Sequence, residues 1–139
     1  MQNDIGSLLH KVSAALDKIS DQVLLERLGI GLSQFRILLF LLSKDGVRQK
    51  TIAENLGQSE ASLSRQARVL QSKGLAVVRR SASNRRDRLI FLTRKGAKTA
   101  EKAVNILNEY HAPMFGRISE REQEKLIRIL GSMQEYLKD

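Results

Sequence analysis

The side chains best suited to chemistry in this chain are arginines set close together. Arg65 and Arg68 stand three apart, and Arg85, Arg86 and Arg88 fall within four residues. A guanidinium stays charged at any physiological pH and offers a planar fork of donors that matches phosphate or a guanine edge. Ala61, Ser62 and Ser64 precede the first pair, and such short residues let a helix approach a partner closely. This is chemistry of recognition. From Ala61 to Lys98 eleven Lys and Arg stand against one acid, Asp87, a local charge of +10. The rest of the chain holds thirteen basic and fourteen acidic residues, so the whole net charge of +9 originates in that stretch. A basic region so bounded is the footprint of a polyanion partner. A charge serving solubility alone would be spread along the chain. A membrane-surface segment would set its basic residues on an amphipathic helix with bulky apolar residues opposite, and a basic hairpin tip such as the one read below does not fit.

The elements that must position these arginines can be read around them. Ile52, Ala53 and Leu56 lie close together on a short helix, and Gly57 suits a turn that needs positive φ. Ser59 is a natural N-cap for a second helix, on which Leu63, Ala67 and Leu70 recur at spacings of four and three. At 100° per residue Ala61, Arg65 and Arg68 point away from that apolar face, with Ser62 and Ser64 on its flanks. Small residues at 53 and 57 with an apolar residue at 63 suit a helix-turn-helix, whose second helix can enter a major groove. A plain helical hairpin with a solvated basic face is the blander reading. Leu75 to Val78 and Leu89 to Leu92 are short apolar runs around a polar, basic tip containing Ser81, Ser83 and Asn84. They predict a β-hairpin, and a helix-turn-helix followed by a basic hairpin is a winged helix.

Residues 33 to 96 resemble the MarR family of bacterial and archaeal transcriptional regulators. Ser33-Gln-Phe-Arg-Ile-Leu is similar to the opening of that family's second helix, and Ser62-Leu-Ser-Arg65 with Lys73-Gly-Leu75 to its recognition helix and exit. Asn84-Arg85-Arg86, Leu92-Thr93 and Gly96 resemble the wing and the start of the next helix. The resemblance implies a homodimeric repressor binding a pseudo-palindromic operator in double-stranded DNA. Ala61, Ser62, Ser64, Arg65 and Arg68 would meet the major groove, and Arg85, Arg86 and Arg88 the adjacent minor groove or backbone. Ser33, Gln34 and Arg36 would contact phosphate near a helix start. The family usually carries Asp where this chain has Asn84, and that Asp orients the arginine entering the minor groove, here Arg86. Asp87 is available to take over by pairing with Arg85 or Arg88 across the tip. Many relatives also bind a small aromatic or amphipathic effector, but no residue pattern identifies one here.

The flanks predict the assembly. Asn3 to Leu28 reads as a long helix on which Ile5, Leu9, Val12, Leu16, Ile19 and Val23 form a heptad seam. Such a stripe packs on C-terminal helices and on a second subunit, or else is buried wholly within the monomer. Ser33 is expected to cap the next helix, with Phe35, Leu38, Leu39 and Leu42 as its core stripe and Ile37 and Leu41 leaving it apolar nearly all round. Val47 suggests a short third strand. Thr93 caps a helix over about 94–111, with Ala97, Ala100, Val104 and Leu107 inward and Pro113 ending or kinking it. Ser119-Glu-Arg-Glu122 has capping-box form and opens the last helix, where Leu126, Leu130, Met133 and Leu137 recur at four, three and four.

The expected fold is therefore mainly α with a small β-wing. A dimerisation helix over 1–30 precedes a winged helix-turn-helix over 31–95 and dimerisation helices over 96–139. The alternative reading is a winged-helix interaction module docking on an acidic partner. Catalysis finds no glycine-rich phosphate loop, metalloprotease signature or nucleophile elbow. Glu120, Glu122 and Glu124 suit a helix start through its dipole. His10 and His111 lack a short ligand spacing, so no metal or other cofactor is expected. Met114 and Met133 read as packing residues. With no Cys, disulfides and thiol redox sensing are closed to this chain. The start, Met1-Gln-Asn-Asp, lacks the order of a signal peptide, and no apolar run reaches membrane-spanning length. A cytoplasmic location, without membrane attachment, is the expectation.

Overall fold

The computed structural model describes residues 4–138. Its elements in chain order are α1 (Ile5–Leu28), α2 (Leu32–Ser43), β1 (Val47–Arg48), α3 (Gln49–Leu56), α4 (Glu60–Ser72), β2 (Ala76–Arg80), β3 (Arg88–Leu92), α5 (Arg94–Phe115) and α6 (Glu120–Tyr136). The chain divides into two compact units, one ending at Asn105 and one beginning at Ile106. The fold is mainly helical with one antiparallel three-stranded sheet, in the order β1-β3-β2. No helix among the described residues is long and apolar enough to cross a membrane.

In the first unit, Asp4 Oδ1 caps α1 by accepting the Ser7 N–H at 2.8 Å. The expected start at Asn3 lies outside the described residues. Gly29 ends the helix at φ 67°, a conformation that costs glycine little. Val23 and Leu24 are buried, whereas Ile5, Leu9, Val12 and Ile19 of the predicted seam are exposed. Ser33 does not cap α2. The N-cap residue is Gly31, which offers no side chain, and the free Leu32 N–H donates across the turn to Asp21 Oδ1 at 2.8 Å. A carboxylate from the preceding helix thus does what the local pattern assigned to a hydroxyl.

α2 is the central helix, packing against α1, α3, α4 and β3. Phe35, Ile37, Leu38 and Leu41 face inward, while Leu39 and Leu42 are exposed. This corrects the predicted stripe: in a helix apolar nearly all round, tertiary contacts choose the inner face. The third strand at Val47 is present, pairing Val47 with Ile90 and Arg48 with Leu89. Asp45 Oδ1 fastens that edge by accepting the Gly46 and Leu92 N–H groups at 3.0 and 2.7 Å. β2 is the other edge strand, and its Val78 N–H donates to Gln71 Oε1 of α4 at 2.6 Å. A side chain thereby covers a backbone donor that an edge would leave open.

α5 starts where the Gly96 N–H donates to Thr93 Oγ1 at 2.9 Å, as expected of a Thr cap. It does not end at Pro113. The helix runs on to Phe115, and the Gly116 N–H closes the last turn on the Ala112 carbonyl at 2.8 Å. A proline so near a terminus removes one bond of a turn that is stopping anyway. In the second unit, Ser119 and Glu122 form the full capping box at the start of α6. Gln123 Nε2 donates to the Phe115 and Ile118 carbonyls at 2.8 and 3.0 Å, tying α6 to the end of α5. No residue of α6 is buried, and Leu126, Ile127, Ile129, Leu130, Tyr136 and Leu137 are all exposed.

Candidate nucleic-acid interface

α3 and α4 meet at a tight turn. Gly57 has φ 65°, and the Gln58 N–H returns to the Ala53 carbonyl at 2.9 Å. Ser59 Oγ accepts the Ser62 N–H at 3.1 Å and caps α4. Ile52 and Ala53 of α3 and Leu63, Ala67 and Leu70 of α4 are buried to 2% exposure or less. That anchoring turns the other side of α4 outward. Ala61, Arg65 and Arg68 are exposed, and Ser62 and Ser64 are half-buried on the flanks. The sequence spacing led to the same arrangement.

The wing joins α4 through the hairpin. β2 and β3 pair from Ala76↔Leu92 to Arg80↔Arg88. Asn84 builds the tip twice over: its carbonyl accepts the Asp87 N–H at 3.0 Å and its Oδ1 accepts the Arg86 N–H at 3.1 Å. The Ser81 N–H closes the loop on the Asp87 carbonyl at 3.0 Å. Arg85, Arg86 and Arg88 are exposed. Asp87 does not pair with Arg85 or Arg88. Its carboxylate meets Arg48 at 3.4 Å, because β1 lies beside β3 and brings Arg48 opposite Leu89. Arg48 also stands at the N-cap position of α3, so the pair links the wing tip to the helix-turn-helix. With side-chain exposures of 60% and 23%, it contributes only about 0–1 kcal/mol. Among the described residues, the guanidiniums of Arg65, Arg68, Arg80, Arg85, Arg86 and Arg88 have no carboxylate partner.

The three α2 candidates behave differently. Gln34 bridges to α4, donating to Gln66 Oε1 at 3.2 Å and accepting from Lys73 Nζ at 3.3 Å. Arg36 pairs with Asp17 of α1 at 3.0 Å. Ser33 is half-buried. Gln34 and Arg36 are thus already engaged in holding helices together.

One feature escaped the sequence. Between α4 and the hairpin lies a groove of about 280 Å³, lined among others by Arg68, Arg79, Arg80 and Arg88. Arg79 and Arg80 belong to the basic stretch from Ala61 to Lys98. Extending the strand alternation past Val78 would have put Arg80 on the groove side. The Arg79 guanidinium stands 5.9 Å from the centre of the Phe91 ring, within range of a cation–π contact.

Two helices joined by a tight turn, the second with an outward basic side, and an arginine-bearing hairpin beside them define a winged helix. Residues 28–87 match the model of the MarR family. The organic hydroperoxide resistance transcriptional regulator of Bacillus subtilis is 31% identical over 106 residues, covering 76% of this chain and 71% of that protein. The structure of MepR from S. aureus, solved as a DNA complex, aligns with a TM-score of 0.79 at 28% identity over 96% of this chain and 98% of that one. A MarR-family regulator from Rhodococcus sp. RHA1 aligns with a TM-score of 0.84 at 22% identity, over 96% and 94% of the two chains. The chain belongs to the MarR family of transcriptional regulators.

Proposed function

We propose that the protein is a homodimeric repressor that reads a pseudo-palindromic operator, with α4 in the major groove and the wing on the adjacent minor groove. The observation that carries this reading is the outward side of α4. Arg65 and Arg68 are exposed there without a carboxylate partner, beside small residues. The unpaired wing arginines extend the same charge, and the MepR relative was solved with DNA. The exposed apolar faces of α1 and α6 supply a surface for a second copy, which a two-fold operator requires. With no Cys in the chain, release of the DNA by thiol oxidation is closed to it.

Arg65 sits in the N-terminal half of α4, from which recognition helices reach base edges. Arg65→Ala should cost about 1–3 kcal/mol on the specific site and relax the preference at one position per half-site. Arg86→Ala should weaken binding to many sequences alike and lower the salt slope by about one unit. Fluorescence anisotropy on operator and scrambled duplexes, over a salt series, separates the two behaviours. If Arg65→Ala weakened every duplex equally, Arg65 would be a phosphate contact. If the wild-type protein bound an acidic polymer matrix as tightly as duplex DNA, the docking-module reading would replace this one.

A further inference from the structure

Arg80 and Arg88 are direct partners across the β2–β3 ladder. Side chains directly opposite in an antiparallel pair share one face with their Cβ atoms about 5 Å apart, and like charges so placed repel. The alternation along the strands puts them on the face of Ala76, Val78 and Ile90. Ala76 and Ile90 on that face are 1% and 0% exposed, and α4 packs against β2. The two guanidiniums therefore prolong a core-facing stripe past the edge of the core, beside α4. There they line the groove of about 280 Å³ together with Ser64, Arg68 and Gln49. Its width is held by Gln71, whose carboxamide oxygen accepts the Val78 N–H. No carboxylate lines the groove, and Asp87, the acid next to Arg88, is taken by Arg48.

An opposed pair of cations costs the free protein stability and offsets the cost only when an anion arrives. We propose that Arg80 and Arg88, assisted by Arg68, clamp a single DNA backbone phosphate between the recognition helix and the wing. Guanidinium forks suit that ligand, since each gives parallel N–H donors to two phosphate oxygens. Ser64 and Gln49 add neutral donors at the rim. The clamp rests on the proposed DNA-binding function and adds a contact that ties helix and wing to one point of the backbone.

The test compares wild type, Arg80→Gln, Arg88→Gln and the double variant on one duplex selected for wild-type binding. Neutralising the clamp should lower the slope of log affinity against log salt by about one unit, equivalent to a three- to fourfold change in affinity ratio across 50–200 mM salt. Each single variant should show most of that loss, because both arginines hold the same phosphate. A loss of two units in the double variant, built additively, would assign separate phosphates and overturn the shared clamp. An unchanged slope in all three variants, with wild type still binding the duplex, would remove the clamp and leave the DNA-binding reading standing. Wild type that fails to bind any duplex would sink that reading itself. Melting curves without DNA provide the second readout. At low ionic strength Arg80→Gln and Arg88→Gln should melt higher than wild type, and the gain should vanish near 1 M salt, where the screening length is about 3 Å. Lower melting in the variants would mean that the arginines support the fold instead. Inorganic phosphate should stabilise wild type more than the double variant, at ionic strength matched with chloride. That preference together with an unchanged DNA slope would assign the groove to a free anion and contradict the proposal.

Discussion

Leu130→Asp should convert the protein to a monomer at micromolar concentration and abolish tight operator binding. Leu130 lies on α6, which buries none of its own residues, and is 41% exposed beside Ile127 at 71% and Leu126 at 42%. α1 carries a second open face, with Ile5 at 68%, Val12 at 50% and Leu9 at 41% exposure. Burying one such side chain contributes about 1.5–3 kcal/mol, so faces of this size on two copies can hold a stable dimer. A carboxylate within them would lose water without gaining a partner. Because Leu130 is already partly exposed, the helices should survive the change, and circular dichroism should show it. Analytical ultracentrifugation then reads the assembly and anisotropy the binding. Leu16→Asp on α1 should behave alike. A folded Leu130→Asp monomer that keeps wild-type operator affinity would contradict the dimer.

Gly96→Ala should be the most damaging of the glycine-to-alanine changes. A Cβ at Gly96 would run into the Leu75 carbonyl oxygen and stand 2.9 Å from both the Leu75 carbonyl carbon and Leu92 Cδ1. The junction there is tied by backbone as well as side chains. The Thr93 N–H donates to the Leu75 carbonyl at 3.2 Å, Thr93 Oγ1 donates to the Gly74 carbonyl at 2.7 Å, and Lys95 Nζ reaches the Lys73 carbonyl at 3.0 Å. The exit of α4 and the entry of α5 are thus fixed on one another and cannot give way separately. Overpacking against backbone should cost about 3 kcal/mol, a fall in Tm of about 10 °C. Differential scanning calorimetry of wild type and variant measures it, and an unchanged Tm would rule out the close approach.

The helix-turn-helix was legible because its signals are local. Gly57 supplies the positive φ, Ser59 the cap, and Leu63, Ala67 and Leu70 the inner face, all within a few residues of one another. The hairpin was legible as an element, but its register was not. The opposition of Arg80 to Arg88 and the pairing of Arg48 with Asp87 depend on which strands lie side by side, and composition says nothing about that. Ser33 failed as a cap for the same reason, since Asp21 reaches across from another helix. On α2, Leu39 and Leu42 have the same hydrophobicity as Leu38 and Leu41, so only packing could sort them. Gly96 looked like a matching position in a motif, and its need for space emerged from a contact with Leu75 across the chain.

The central claim is that α4 and the wing read a two-fold DNA site. Selection from a random duplex library with the purified protein tests it most directly. The account predicts enrichment of an inverted repeat whose half-sites lie about one helical turn apart, roughly 34–36 Å. It also predicts retention that falls steeply with salt and an enriched motif that loses one position per half-site with Arg65→Ala. Recovery of unrelated sequences with no shared motif after repeated rounds would contradict it.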